Sequence, residues 1–252
     1  MNAINPTHLS MIASLSRLHY RRVVSGPELE KIGALRQRAY DSKTVFAEKL
    51  GEPLVENDDA NNGFYTFGLY EDDDILATVR FGVLDKSNPR TQAAGLFPEV
   101  LSPLVAQGQR FIDPSRLAVE PTAADTFPAL PVFILRTAFI ATVHFSANQC
   151  LSVVKREHEA FYRRVFSSTR LAGPAKPAEY AIDLLLLGSA LSNEQKIQSR
   201  YPIFHFTDAE REALFADLPA GEGASDPVVP SAAQVMGLDV SAIPEMLAAR
   251  VA

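Results

Sequence analysis

The residues best suited to chemistry stand at the start of an otherwise apolar strand, in residues 111–119. Asp113 and Arg116 place a carboxylate and a guanidinium three residues apart there. Because the side chains of a strand alternate between its two faces, an acid and an Arg at this spacing do not form one solvated stripe. Charged groups at the start of a buried strand destabilise the fold unless they are paired with an opposite charge or take part in function. The segment therefore predicts charges that have a partner or a function.

Four more charged residues stand alone at the ends of apolar segments further upstream. They are Arg36, Glu56, Asp59 and Arg80. Together with the two charges of the strand they supply several guanidinium groups and several carboxyl groups. If these converge on one cleft, they suit a small zwitterionic substrate, because a guanidinium binds a carboxylate through two parallel hydrogen bonds.

Composition and charge limit the class of protein. The 252 residues are 47% hydrophobic and 21% charged, which is ordinary for a globular protein with a sizeable core. The formal net charge of −6 argues against nucleic acid as the main partner, because phosphate binding needs a basic surface. The single cysteine, Cys150, excludes an internal disulfide and a Cys-rich zinc site. Its type predicts a small buried hydrophobe rather than a nucleophile.

The sequence predicts a cytoplasmic enzyme. Its N-terminus lacks a basic region followed by an apolar run, so we expect no signal peptide. Residues 130–147 are the most apolar segment, but Arg136 and His144 interrupt them. That pattern predicts a core helix rather than a membrane span.

The order of elements predicts a mixed sheet with helices on its faces. Because residues 219–230 are rich in Gly, Pro, Ala and Ser, we expect one domain over residues 1–218, followed by a flexible linker and tail over residues 219–252. Residues 1–19 are expected to be an N-terminal extension. Residues 192–195 (Ser-Asn-Glu-Gln) and 207–210 (Thr-Asp-Ala-Glu) each match a capping box, so a short helix is expected after each. The predicted strands are residues 20–24, 63–70, 75–84, 111–120, 150–154 and 180–187, and the predicted helices include residues 25–40, 45–50, 127–146 and 157–166.

The charged residues occur in an ordered series with aromatic residues between them. An Arg and two aromatic residues come first, then an acid-x-x-acid pair, an Arg late in the hairpin, and Asp-Pro-Ser-Arg-Leu at residues 113–117. This series resembles the acyl-homoserine-lactone (autoinducer) synthases and the related long-chain N-acyl amino acid synthases, over roughly residues 20–190. The residues that carry the resemblance are Arg36, Tyr40, Phe46, Glu56, Asp59, Arg80, Asp113, Ser115 and Arg116.

The resemblance implies a GNAT-like α/β fold, with a mixed, mostly antiparallel central sheet flanked by helices. Two positions depart from the autoinducer synthases: Asp113 stands where they have Glu, and Phe46 where they have Trp. The segment His-Glu-Ala-Phe-Tyr-Arg-Arg at residues 158–164 is more similar to the N-acyl amino acid synthases. We therefore expect an amide-forming enzyme, without a commitment to lactone formation.

The reaction that the resemblance implies is attack of a primary amine on an acyl thioester. Because a free amine is mostly protonated at neutral pH, a base is needed, and Asp113 is the candidate, acting through a water. The alternative is that Asp113 only pairs with Arg116. Arg116 is expected to hold either this acid or the carboxylate of the substrate, and Arg36 and Arg80 to orient the two loop acids.

Three further residues take roles from the resemblance. A bulge near Leu117 to Val119 would free backbone N–H groups for the oxyanion, although the segment has no glycine that predicts one. Tyr162 would protonate the leaving thiolate, or else be a core ring. His158, one helical turn earlier, would contact substrate, or else be a solvated residue. The predicted substrate-binding residues are Arg36, Phe46, Glu56, Asp59, Arg80, Leu117, Val119 and His158, and the predicted catalytic residues are Asp113, Arg116 and Tyr162.

The expected acyl donor is acyl carrier protein, through its phosphopantetheine thioester. Residues 121–126 contain no glycine, where enzymes of this fold that use coenzyme A bind its diphosphate. An acidic carrier protein would meet a basic patch, or the same residues form a plain solvated helix face. Apolar residues would line an acyl tunnel or form ordinary core. The patch residues are Lys155, Arg156, Arg163 and Arg164, and the tunnel candidates are Phe133, Phe139, Phe145 and residues 184–187.

The sequence thus predicts an N-acyltransferase that moves a long-chain fatty acyl group from acyl carrier protein to the amine of a small amino acid. We expect no tightly bound cofactor, no metal, no nucleic acid partner and no membrane span, with weak membrane association through the product. The alternatives are an acyl-homoserine-lactone synthase that uses S-adenosylmethionine and a coenzyme A-dependent acetyltransferase. A different class of protein is a non-catalytic module that binds acyl carrier protein or acyl chains.

Overall fold

The computed structural model describes residues 4–43, 49–177, 182–218 and 222–248. Seven strands form one sheet: β1 (His19–Val23), β2 (Phe64–Glu71), β3 (Asp74–Leu84), β4 (Phe111–Val119), β5 (Gln149–Lys155), β6 (Thr169–Ala175) and β7 (Leu184–Ala190). Their order across the sheet is β1-β2-β3-β4-β5-β7-β6. The β4/β5 pair is parallel and the other neighbours are antiparallel. The predicted mixed, mostly antiparallel sheet is confirmed.

Helices cover the faces of this sheet. The longer ones are α1 (Pro6–Leu15), α2 (Gly26–Asp41), α4 (Pro98–Ala106), α6 (Leu130–His144), α7 (Glu159–Phe166), α8 (Glu194–Arg200) and α9 (Asp208–Phe215). The short ones are α3 (Gln92–Leu96), α5 (Pro121–Ala124), α10 (Ala232–Val235) and α11 (Ile243–Ala248). Single 3₁₀ turns occur at Asn57–Asp59, Arg156–His158, Leu191–Asn193, Pro202–Phe204 and Val240–Ala242.

Helix α6 is buried along most of its length, because it is apolar around nearly its whole circumference. It packs on β2, β3, β4 and β5. The apolar pattern predicted a start at residue 127, but the helix begins at Leu130. A start at residue 127 would put Pro131 inside the helix, where its ring clashes with a preceding carbonyl, whereas Pro131 is tolerated in the first turn.

The two central strands separate soon after they begin. β4 pairs with β5 at Phe111–Gln149 and Ile112–Cys150, whereas β5 pairs with β7 along its whole length. Beyond Ile112, the edge of β4 that faces β5 has no strand partner among the described residues. The sheet therefore opens there into a cleft between β4 and β5.

A bulge interrupts β4 beside this cleft. Ser115 pairs with Arg80, and Ala118 pairs with Thr78, so two residues of β4 lie opposite one residue of β3. The extra residue is accommodated at Arg116, whose φ is 52°. This left-handed conformation is the one that glycine usually supplies at a bulge, which is why composition did not predict it.

Three segments differ from the sequence predictions. The chain between β3 and β4 forms α3 and α4, and the edge strand β6 lies between α7 and β7; none of the three was predicted. The last strand begins at Leu184, later than the predicted residue 180, and residues 178–181 lie outside the described part. The predicted helical piece at 45–50, with Phe46, falls mostly on residues 44–48, which also lie outside it.

The described residues 222–248 pack on the rest of the chain, in contrast with the flexible linker and tail that composition predicted. Tyr20 and Val228 exchange backbone hydrogen bonds at 2.9 and 2.8 Å, which covers the outer edge of β1. The side chains of Ala232 and Ile243 are buried in the main core. Small residues and prolines are common in linkers, but here they allow a close approach to β1 and to the helices.

Candidate active site

A buried ion pair joins α2 to the loop before β2. Arg36 donates two hydrogen bonds to Asp59, from Nη1 to Oδ2 at 2.8 Å and from Nη2 to Oδ1 at 2.9 Å. Asp59 also accepts hydrogen bonds from Thr66 Oγ1 at 2.8 Å and from the Glu56 N–H at 2.9 Å. Burial alone would raise the pKa of Asp59, but the hydrogen bonds and charge of Arg36 hold it below its usual value. Asp59 is therefore an ionised anchor for the loop.

Glu56 connects this pair to the bulge of β4. Arg116 donates from Nε and Nη2 to the two carboxylate oxygens of Glu56, at 2.6 and 2.7 Å. Arg80 Nη1 lies 3.0 Å from Glu56 and 3.6 Å from Asp59. Burial would raise the pKa of Glu56, but the hydrogen bonds and charge of Arg116, with the charge of Arg80, lower it. With Arg36, these four residues form one continuous network.

Asp113 lies next to this network and is held by a helix end. Its Oδ2 accepts a hydrogen bond at 2.7 Å from the N–H of Ala93, in the first turn of α3. Burial raises the pKa of Asp113 to about 6, while the Thr91 hydroxyl, the Ala93 N–H and the charge of Arg80 act in the opposite direction. Its Oδ1 is buried and has no hydrogen-bond partner among the residues that the structure describes. The carboxylate is thus fixed by α3 rather than by the predicted alternative partner, Arg116.

The open edge of β4 presents backbone groups to the cleft. The Tyr40 hydroxyl donates to the carbonyl oxygen of Leu117 at 3.1 Å and braces the strand just after the bulge. The Glu120 N–H donates to the Leu76 carbonyl at 2.9 Å. Because neighbouring N–H groups on an antiparallel strand point in opposite directions, the N–H of Val119 is directed away from β3, toward the cleft.

A cavity lies where β4 and β5 separate, between α6, α7 and α8. It holds about 480 Å³ of space, part of which is open to solvent. Phe139 lines it as predicted, whereas Phe133 and residues 184–187 are core residues outside its lining. Burial raises the pKa of the Cys150 thiol in its wall to about 12, so the thiol stays protonated, in agreement with the predicted structural role.

Tyr162 and His158 differ in position although they are one helical turn apart. Tyr162 lines the cavity, and its ring packs on Phe161 and Phe166 at centroid distances of 5.2 and 5.7 Å. Burial raises its pKa, so the hydroxyl keeps its proton. The His158 side chain is 57% exposed, lies 3.7 Å from Glu157, and does not belong to the lining of the cavity. The structure therefore brings Tyr162, but not His158, to the cleft.

The predicted carrier-protein residues lie together on one surface. Arg156, Arg163 and Arg164 are exposed, in α7 and the 3₁₀ turn before it. Lys155, at the end of β5, is half-buried and lies 3.8 Å from Glu157. We call these four basic residues the α7 surface. Arg163 and Arg164 follow Tyr162 directly on α7.

Sequence reasoning missed the residues of α3 and α8 that contact the site. Gln92 accepts a hydrogen bond from Arg116 at 3.3 Å, and Ala93 holds Asp113. A Thr followed by helix-forming residues at positions 91–94 was the available signal for this helix. The capping-box match of residues 192–195 predicted the short helix that carries Glu194, but not its place in the wall of the cavity.

Two further features bear on function. Within residues 4–43, 49–177, 182–218 and 222–248, no group of three or more His, Cys, Asp and Glu side chains is arranged to hold a metal ion. In the same residues, no helix has the length and apolar character needed to cross a membrane.

The chain is similar to solved structures of acyltransferases. One is FeeM, an N-acyl amino acid synthase from uncultured soil microbes, with 11% identity, a TM-score of 0.57, and coverage of 69% of this chain and 91% of that chain. Another is BjaI, a CoA-dependent acyl-homoserine lactone synthase, with 14% identity, a TM-score of 0.50, and coverage of 73% and 89%. At these identities the likeness shows the fold, which is GNAT-like as predicted.

Comparison of the sequence with known families identifies the family of the chain. No curated protein matches the chain. A family model described as N-acyl amino acid synthase FeeM matches residues 31–189, which is more than half of the chain and spans the sheet from β2 to β7. The predicted resemblance is confirmed, and the chain belongs to the FeeM family of N-acyl amino acid synthases.

Proposed function

We propose that this N-acyltransferase moves a long-chain fatty acyl group from the phosphopantetheine thioester of acyl carrier protein to the amine of an amino acid. The observation that carries the proposal is the position of Asp113, a buried carboxylate with one free oxygen beside the cleft between β4 and β5. Membership of the N-acyl amino acid synthase family supports an amino acid as the acceptor.

Asp113 is the base of the proposed reaction. With a pKa of about 6, it is ionised at neutral pH and still basic enough to accept a proton from the ammonium group of the acceptor, through a water. The amine nitrogen then attacks the thioester carbonyl carbon, and the carbon–sulfur bond breaks as the amide forms. Tyr162, which burial keeps protonated, supplies a proton to the thiolate as it leaves. The second proton that the nitrogen loses on forming the amide restores the Tyr162 hydroxyl.

The bulge and its network position the other groups. The N–H of Val119 at the open edge of β4 is a donor for the oxyanion of the tetrahedral intermediate. Glu56 and Arg116 are only partly buried, with side chains 30% and 16% exposed, whereas Arg36 and Asp59 are fully enclosed. We therefore assign contact with the acceptor to Glu56 and Arg116, and support of the loop to the buried pair.

The start of α6 supports a carrier protein rather than coenzyme A as the donor. The N–H groups of Leu130 and Val132 already donate to backbone carbonyls, at 3.1 and 2.9 Å. Pro128 and Pro131 carry no N–H at all. A diphosphate bound at this place needs free N–H groups. A carrier protein needs instead a docking surface for its acidic face, which the α7 surface provides.

A direct assay tests the proposal. Purified protein is incubated with long-chain acyl carrier protein, or with the matching acyl coenzyme A, and with a pool of amino acids and S-adenosylmethionine. Mass spectrometry is expected to detect an N-acyl amino acid that Asp113→Asn does not form and that Glu30→Gln, a control at an exposed position of α2, does form. An acyl lactone as the product contradicts the amino acid acceptor, and no acyl product from either donor contradicts the proposed function.

A further inference from the structure

The cavity between β4 and β5 has two chemically different ends. Pro114 of β4 lines it directly after Asp113, so this end adjoins the proposed reaction site. Helix α6 then runs back along the cavity, and its lining residues extend from Leu135 to Val143. The end reached at Val143 lies beside the start of β5, away from the bulge.

This far end is closed by the segment between β7 and α8. The Leu191 N–H donates to the Asn148 carbonyl at 3.0 Å, which places Leu191 just beyond the first residue of β5. Leu191 and Glu194 both line the cavity, and Glu194 is in the first turn of α8. Within the described lining, Glu194 is the one carboxyl group.

Two hydroxyl groups of the wall are occupied by the protein itself. Thr142 Oγ1 donates to the Ala138 carbonyl at 2.9 Å, and the Ser189 hydroxyl donates to the Phe166 carbonyl. These hydroxyls therefore present little unsatisfied polarity to a ligand. The carboxyl group of Glu194 differs, since no residue of the described chain forms an ion pair with it within 4.0 Å.

We propose that Glu194 sets the maximum length of the acyl chain that the cavity accepts, an inference that rests on the proposed function of the site. An acyl chain bound with its thioester near Asp113 passes Tyr162 and Cys150 and directs its methyl end toward Leu191 and Glu194. Each further methylene that enters the apolar wall strengthens binding about fourfold. A chain long enough to reach Glu194 must remove water from its carboxylate, which opposes binding.

The electrostatics of Glu194 agree with this geometry. Burial raises its pKa, and the charge of Arg211 acts in the opposite direction. The carboxylate is thus already partly desolvated, and an acyl chain packed against it would desolvate it further.

The test measures chain-length preference in wild-type protein and in Glu194→Leu, Glu194→Gln and Gln195→Leu. For saturated acyl donors of increasing length, wild-type kcat/KM is expected to rise about fourfold per methylene to a maximum and then fall. Glu194→Leu is expected to move the maximum to longer donors. For the first donor beyond the wild-type maximum, its kcat/KM should increase at least about fourfold relative to its kcat/KM for shorter donors. Glu194→Gln keeps the size of the side chain and isolates the effect of charge.

Gln195→Leu is the matched control, because this neighbour is exposed and does not line the cavity. Its preference is expected to equal that of wild type. Calorimetric titration with free fatty acids from octanoate to stearate gives the same ranking without acyl transfer, and so separates this inference from the proposed function. A shifted fatty-acid ranking in Glu194→Leu supports the inference even if no donor is turned over. An unchanged ranking, or the absence of fatty-acid binding, overturns it.

Discussion

At the scale of single residues, Asp113 shows how the needs of a reaction and the needs of folding diverge. Burial raises its pKa from the ordinary 3.8 to about 6 in the folded protein. Between these values the folded state holds a proton that the unfolded state has lost, so stability falls as pH rises from about 4 to about 6 and stays lower above that range. The difference corresponds to a free energy on the order of 3 kcal/mol.

Asp113→Asn is therefore expected to stabilise the protein while it removes activity. At about pH 8 its free energy of unfolding should exceed that of wild type by up to roughly 3 kcal/mol, and the difference should vanish near pH 4. Acyl transfer should fall by about 10²- to 10⁴-fold. Urea unfolding at both pH values measures the first effect, and single-turnover kinetics the second. A variant that is less stable than wild type at about pH 8 would contradict a desolvated carboxylate.

The wild-type enzyme is expected to lose activity in acid as the same carboxyl takes up its proton. The rate of acyl transfer should rise with pH through about 6 and level off above it, provided that the acceptor amine is saturating. A pH profile of kcat for wild type tests this. Thr91→Val is an informative comparison, because loss of the hydroxyl that lowers the pKa of Asp113 should move the midpoint upward. A midpoint far below 6 would show that another group is the base.

At the scale of elements, the sequence predicts those strands and helices of the site that have a clear local pattern of apolar and turn residues. Strands β2, β3 and β4 were predicted because apolar runs are bounded by turn residues. The structure pairs β3 with β4 so that Arg80 lies opposite Ser115 and Gly82 lies opposite Asp113. Helix α3 was missed, since five residues give little periodic signal and its main contact, from Ala93 to Asp113, joins distant parts of the chain. The bulge was not visible either, because Arg116 occupies a conformation that composition associates with glycine.

The left-handed backbone at Arg116 gives a test of the bulge. Arg116→Gly and Arg116→Ala both lose the hydrogen bonds to Glu56, so they differ mainly in the backbone preference of the new residue. At a φ of 52°, we expect Arg116→Gly to be more stable than Arg116→Ala by about 1 kcal/mol. Ala118 occupies a regular position of the same strand. Ala118→Gly is therefore expected to lower the free energy of unfolding by about 1 kcal/mol relative to wild type. Urea unfolding of the three variants checks both signs, and a penalty for glycine at both positions would contradict the bulge.

At the scale of the whole molecule, charge is unevenly placed. The chain has a net charge of −6, yet the α7 surface is basic and exposed. In the proposed reaction, net acidity would repel an acidic carrier protein in general, so a local basic surface would have to orient its approach. The same argument predicts that binding of the donor weakens as salt screens these charges.

Reversal of two charges on the α7 surface tests this docking. Arg163→Glu combined with Arg164→Glu is expected to raise KM for acyl carrier protein about tenfold or more, because attraction becomes repulsion, and to weaken the salt dependence of KM. The control is Arg90→Glu, an exposed residue in the loop before α3, which should change neither value. Steady-state kinetics at two salt concentrations give the comparison. Equal effects at both sites would show a response to net charge rather than to a docking surface.

A second buried ion pair connects helix α6 to the C-terminal part of the molecule. Arg136 of α6 donates from Nη2 to Glu210 of α9 at 2.9 Å, and its Nη1 donates to the other carboxylate oxygen. Its Nε donates to the Ile203 carbonyl at 2.6 Å. Ser231, in the C-terminal segment, donates to Glu210 from its N–H and its hydroxyl, at 2.9 and 2.7 Å. Helix α6, which lines the cavity between β4 and β5, is thus tied through Glu210 to a residue of the segment that composition predicted to be a flexible linker and tail.

Removal of one partner from this pair should destabilise the whole molecule more than removal of both. Glu210→Gln leaves the Arg136 guanidinium buried without a countercharge, and we expect a loss of about 3–5 kcal/mol in the free energy of unfolding. Arg136→Met combined with Glu210→Met leaves no charge to desolvate, so its loss should be smaller. Glu120→Gln, which breaks the more exposed pair with Arg38, should cost less than about 1 kcal/mol. Urea unfolding at one pH ranks the three variants. A double variant at least as unstable as Glu210→Gln would show that hydrogen bonding and packing at these positions outweigh the buried charge.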